Sequence, residues 1–129
     1  MGDYLMSLIK ANDITNVTGG IPTVKSQQLI PTAWVNFNGT GTVAIRDSEG
    51  VSSLTDDGVG DMVINFSTNM ANTNYCFTAS GSGNSFGTAD TCIGPYEFGT
   101  GLVKMGIYHS GSQQIDRVIV CVTILGGQS

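Results

Sequence analysis

Charge is the scarcest property of this chain. Only 12% of its 129 residues are charged, with five Lys or Arg against ten Asp or Glu. Globular chains usually carry about 25%. Five scattered cations cannot form the basic stripe that displaces counterions, so nucleic-acid binding is excluded as a function class. The same shortage disfavours an anionic membrane surface. No apolar run approaches the roughly 20 residues of a spanning helix, and no membrane insertion is expected. The opening stretch MGDYLMSLIKAND lacks the basic head and long apolar body of a signal peptide, so synthesis and assembly are expected in a cytoplasm.

Histidine occurs once, at His109. No Ser-His-Asp or Cys-His arrangement is coherent around it, and no nucleophile-elbow context exists. No catalytic residue is therefore assigned, and the chain is not expected to be an enzyme. Asp90 and Glu97 could form a sugar-hydrolase pair only if a cleft held them apart, which makes that a minority reading. The three cysteines, Cys76, Cys92 and Cys121, lack metal or redox spacing, and free thiols are expected. Cys76 and Cys121 sit in strand-like runs and read as small buried hydrophobes, while Cys92 reads as a loop residue. Asp56, Asp57 and Asp61 surround a glycine turn but miss the spacing of a calcium loop, so Asx capping is the better reading. No metal and no cofactor are expected.

What the chain has in quantity is turn and β-surface chemistry. Gly, Ser, Thr and Asn supply 53 of the 129 residues, a composition that favours strands and turns over helices. Alternating apolar positions predict strands over 33–37, 43–47, 51–54, 61–66, 75–80, 102–109 and 115–125. The pair Asn38-Gly39 between two such runs predicts a hairpin, since both residues tolerate positive φ. Residues 81–101 read as a long loop. The expected fold is all-β, a β-sandwich or jelly-roll-like domain over 33–129. Residues 1–32 carry too little apolar surface to fold alone and read as an extended N-terminal attachment segment, with Leu5, Leu8 and Ile9 as its docking residues. The last strand, RVIVCVTIL, is apolar on both faces. A strand with one wet face should alternate. One face is therefore expected in the core and the other at a subunit contact, with Val120, Val122 and Ile124 assigned to that contact. Trp34 and Tyr108 read as core or interface. In the 81–101 loop, Asn84, Phe86, Asp90, Tyr96 and Glu97 combine aromatic rings with adaptable polar groups, which suits a carbohydrate or protein surface.

The string AWVNFNGTGTVAIRDSEGVSSLTDDGVGDMVINFSTNMANTNYCF also resembles a module of tail fibre and receptor-binding proteins of tailed bacteriophages, particularly aquatic phages. The resemblance lies in the Trp34-Val35-Asn36-Phe37 strand and the Asn-Gly-Thr-Gly turn. It continues through Ile45-Arg46-Asp47, Val51-Ser52-Ser53, a Gly-rich turn and a strand ending at Phe66, then Ala71, Asn72 and Tyr75. It covers about a third of the chain. It implies a β-rich homotrimeric part of a virion tail, with other tail or baseplate proteins and a host surface glycan or protein as partners. The function so implied is host adhesion by a fibre or its receptor-binding tip. The alternative is a virion adaptor, collar or decoration protein with no receptor contact.

Overall fold

The computed structural model describes residues 30–83, 91–109 and 112–128, the strand pairs at 23–24 and 27–28, and positions 11, 14, 15, 17 and 19. All described regular structure is β. A two-residue hairpin, β1 (Thr23–Val24) with β2 (Gln27–Gln28), precedes the body. The body then runs through β3 (Ala33–Asn38), β4 (Ala44–Glu49), β5 (Val51–Gly58), β6 (Asp61–Phe66) and β7 (Tyr75–Ser82). It closes with β8 (Thr91–Phe98), β9 (Leu102–His109), β10 (Gln113–Gln114) and β11 (Ile119–Gly126). There are two main antiparallel sheets, and no helix occurs among the described residues.

One sheet has four strands in the order β4-β3-β11-β7. The other has five: β5, β6 and β9 in order, with β8 on the far side of β9 and short β10 also on β9. Hairpins join β3 to β4, β5 to β6 and β8 to β9, β10 pairs back onto β9, and the links β4–β5, β6–β7, β7–β8 and β10–β11 cross between the two main sheets. The arrangement is consistent with a β-sandwich. Its interior is the shared apolar face: Phe37, Val120, Val122 and Ile124 from one sheet meet Met62, Ile64, Val103, Met105 and Ile107 from the other. Each such side chain withdrawn from water contributes about 1.5–3 kcal/mol. Three rings extend this core to one end. Tyr75 meets Phe66 edge-on at 5.9 Å and Phe98 at 5.1 Å, and its hydroxyl donates to the carbonyls of Gly99 and Leu102.

The last strand differs from the sequence expectation. Val120, Val122 and Ile124 are 0%, 2% and 1% exposed within a single chain. They fill the core between the sheets, so they are corrected from a subunit contact to intrachain packing. The opposite face, with Ile119, Cys121, Thr123 and Leu125, is the one turned outward. Ile119 and Leu125 remain 42% and 40% exposed. Register explains the split, because residues opposed across antiparallel strands share a face. Cys121 opposes Asn36 and Ser80, and Thr123 opposes Trp34 and Thr78, so this outer surface mixes small polar groups with half-buried Trp34. Cys76 opposes Leu125 there and is exposed, while Cys121 is half-buried. Both thiols are free, but neither is the buried hydrophobe expected.

The first hairpin is also built differently. Neither Asn38 nor Gly39 has positive φ; that conformation falls on Gly41, at 60°. Asn38 shapes the link with its side chain. Its Oδ1 accepts from the Thr40 amide and hydroxyl, and its Nδ2 donates to the Thr40 carbonyl. Asn is therefore needed here as a local hydrogen-bonding device.

Candidate functional site

The reading of 81–101 as one loop needs correction, and the correction defines the site. Residues 91–98 form β8, paired with β9 from Thr91↔His109 to Phe98↔Val103. Gly94 and Pro95 disguise the strand in the sequence. Proline cannot donate to a ladder, yet it is tolerated on an edge strand or at a bulge. Pro95 has both: β8 pairs only with β9, and the register shifts between Pro95 and Glu97. Tyr96 is the extra residue of that bulge. The irregularity leaves Tyr96 and Glu97 both exposed, which strict alternation would forbid.

Tyr96 reaches from β8 across β9 to β6. Its hydroxyl donates to Asp61 Oδ1 at 2.5 Å. Beneath it, Asp61 opposes Gly106, which opposes Gly94. The ring of Tyr108 lies on Gly106, where any Cβ would overlap it, and the space over Gly94 is open. Glu97 faces Lys104 across the hairpin, and their charged groups pair at 3.3 Å. The result is a shallow shelf on the outer face of the five-stranded sheet. It has two tyrosine rings, a glycine floor and a rim of Asp61, Glu97 and Lys104.

Electrostatics hold the shelf in one state. The Asp61 carboxylate accepting its proton, helped by burial and by the nearby charges of Asp61, Asp57 and Glu97, pushes the Tyr96 phenol up to about 12. Tyr96 therefore remains a hydrogen-bond donor across the neutral range. Asp56 caps its own turn, with Oδ1 accepting from the Gly58 amide at 3.1 Å. That is the Asx capping the sequence suggested. No group of three His, Cys, Asp or Glu among the described residues is placed to hold a metal.

Of the five receptor-contact candidates, Tyr96 and Glu97 sit together on this shelf. Asn84, Phe86 and Asp90 lie outside the described residues, as do the docking candidates Leu5, Leu8 and Ile9. Lys104 was not singled out from the sequence, while Asp61 was read only as a turn residue and Tyr108 as core or interface. One signal was present: Glu97 and Lys104 flank the Gly99–Thr100–Gly101 turn as opposite charges at matching positions. Asp61 carried no such cue, because its partner is 35 residues away.

A buried cation closes the end of the sandwich nearest the β10–β11 link. Arg117 is 4% exposed. Its Nε donates to Thr91 Oγ1 at 2.8 Å, while Nη2 is buried with no hydrogen-bond partner among the described residues. Its carbonyl accepts from the Gly39 amide. Arg46, by contrast, lies at the surface and ties β4 to Asn36 and to the Val118 carbonyl.

No protein-family model, no curated protein and no solved structure matches this chain.

Proposed function

We propose that this chain is a virion structural protein of a tailed bacteriophage, a tail fibre part or its receptor-binding tip. In this reading it assembles as a homotrimer and adheres to a host surface glycan or protein. The carrying observation is where the fibre-like string falls. Its residues occupy β3 through the start of β7 without a break, and several of its polar members make framework contacts. Asn38 builds the first link. Arg46 holds Asn36 and the Val118 carbonyl. Ser52 donates to the Asn65 and Phe66 carbonyls, and Tyr75 locks the β8–β9 turn. The resemblance is thus one of scaffold, which agrees with its naming no receptor.

Adhesion is assigned to the Tyr96 shelf. Exposed rings beside fixed acceptors and donors supply stacking area and hydrogen bonds at little entropic cost. Three copies of a weak site on one stem raise the overall affinity by roughly 10²–10⁴. The contact between copies is assigned to the outward face of β11 with Trp34, since Ile119 and Leu125 are large apolar groups left open there. Residues 1–32 attach the trimer to its tail or baseplate neighbour.

Light scattering of the purified chain, paired with a host-cell binding assay, tests both halves. A trimer whose adhesion falls at least tenfold in a Tyr96→Ala, Glu97→Ala double variant is the expected result. A stable monomer at high concentration overturns the assembly. Particles that carry the protein while the purified trimer ignores host cells make it an adaptor or decoration protein instead.

A further inference from the structure

The opposite end of the sandwich from Arg117 holds a cavity of about 280 Å³. Its lining includes Phe66, Met70, Thr32, Thr68, Asn69 and Gln128. That volume lies at the lower edge of the roughly 300–1,000 Å³ typical of small-molecule sites, room for one small ring and not for a chain of them. Phe66 and Met70 belong to the core, at 7% and 5% exposure, and supply an apolar floor. Thr68, Asn69 and Gln128 are exposed. No side-chain hydrogen bond among the described residues occupies any of the three, so a hydroxyl and two amides stand ready around the floor. Among the described residues the lining contains no charged group.

The walls are fixed. The Ser67 amide donates to the Gly50 carbonyl, Met70 to Thr100 and Ala71 to Gly127. The Thr32 hydroxyl is tied to the Gly126 carbonyl at 2.7 Å. Phe66 is braced edge-on by Tyr75. A backbone and floor held in this way lose little entropy on binding, which favours ligands too small to offset a large ordering cost.

We infer that this cavity binds a neutral, hydroxyl- and acetamido-bearing ring of monosaccharide size. Hydroxyls of such a ring can both donate to and accept from the Asn69 and Gln128 amides, while its C–H face or an acetamido methyl lies on Phe66 and Met70. An acidic sugar meets no cation among the described lining residues, so its carboxylate would exchange water for neutral donors alone. The site is separate from the Tyr96 shelf, so it stands or falls independently of the assignment of adhesion to that surface.

The experiment is titration of the full ¹⁵N-labelled chain with N-acetylglucosamine, glucose and glucuronic acid, followed by amide shifts. The expected result is saturable shifts of Thr68, Asn69, Met70 and Gln128 with N-acetylglucosamine. Glucose should give weaker shifts and glucuronic acid none. Asn69→Ala and Thr68→Val should each raise Kd at least tenfold. Both positions are at the surface, so an unchanged spectrum elsewhere certifies the fold of each variant. No saturable shift with either neutral sugar overturns the inference. So do shifts that survive unchanged in both variants, shifts confined to residues 91–108, or tighter binding of glucuronic acid.

Discussion

Replacing Gly60 by alanine tests how the candidate shelf is built from the backbone upward. Val59 and Gly60 link β5 to β6, and Asp61, the acceptor of the Tyr96 proton, follows directly. Gly60 has φ 65°. Its amide donates to Asp116 Oδ1 at 2.8 Å, and its carbonyl accepts from the Ile107 amide at 2.7 Å. A Cβ there would stand 2.5 Å from the Ile107 carbonyl oxygen and 2.6 Å from the Ile115 nitrogen. Those two atoms are themselves bonded to each other at 3.0 Å. Left-handed backbone costs an L-residue about 1–2 kcal/mol. Moving the backbone aside weakens one or two buried hydrogen bonds, at about 1–3 kcal/mol for each group left unsatisfied. Taking about 2–3 kcal/mol for the weakened bonds together, Gly60→Ala should cost about 3–5 kcal/mol. Gly41 is the control, because it has φ 60° but nothing within 4 Å of a Cβ. Its alanine variant carries only the conformational cost, about 1–2 kcal/mol. With an unfolding entropy of roughly 2.1 cal/mol/K per residue, Tm should fall by about 4–7 °C for Gly41→Ala and about 11–18 °C for Gly60→Ala. Thermal and urea melts followed by circular dichroism measure both. Equal losses in the two variants refute the packing argument and leave only the dihedral.

Alkaline titration of tyrosine absorbance should show one phenol ionising near 12 and missing from Tyr96→Phe, since Asp61 holds that proton. The sign follows from the raised value: the stabilising effect is complete below the unfolded phenol's range near 10 and is lost as pH climbs through about 12. A spectrum unchanged by Tyr96→Phe above pH 11 contradicts the hydrogen bond. Arg117→Met should stabilise the fold by roughly 1 kcal/mol, about 4 °C in Tm, because it removes a buried charge with an unsatisfied nitrogen while keeping volume; a loss above about 2 kcal/mol would mean that Nη2 has a partner in solution. Val122→Asp should unfold the chain, at more than about 4 kcal/mol, by placing a lone carboxylate in the core. Ile119→Asp with Leu125→Asp should leave the monomer folded and lower the mass seen by light scattering; an intact trimer in that variant moves the interface to another surface.

Strands that alternate cleanly were legible in the local sequence. The alternation over 102–109 and 61–66 has the same bounds as β9 and β6, because valine, isoleucine and methionine at every second position have one physical use. The all-β class was legible too, through sparse charge and abundant turn residues. Strand β8 was hidden because Gly94 and Pro95 argue against a strand, and only pairing with one neighbour at an edge makes them acceptable. Which face of β11 is dry was equally out of reach. Val120 and Cys121 are both apolar in composition, and the choice between their faces was made by the second sheet covering one side. The Tyr96–Asp61 contact, the unsatisfied nitrogen of Arg117 and the cavity at Asn69 are likewise products of tertiary structure. Each depends on residues brought together from distant strands, and local sequence carries no record of a partner that far along the chain.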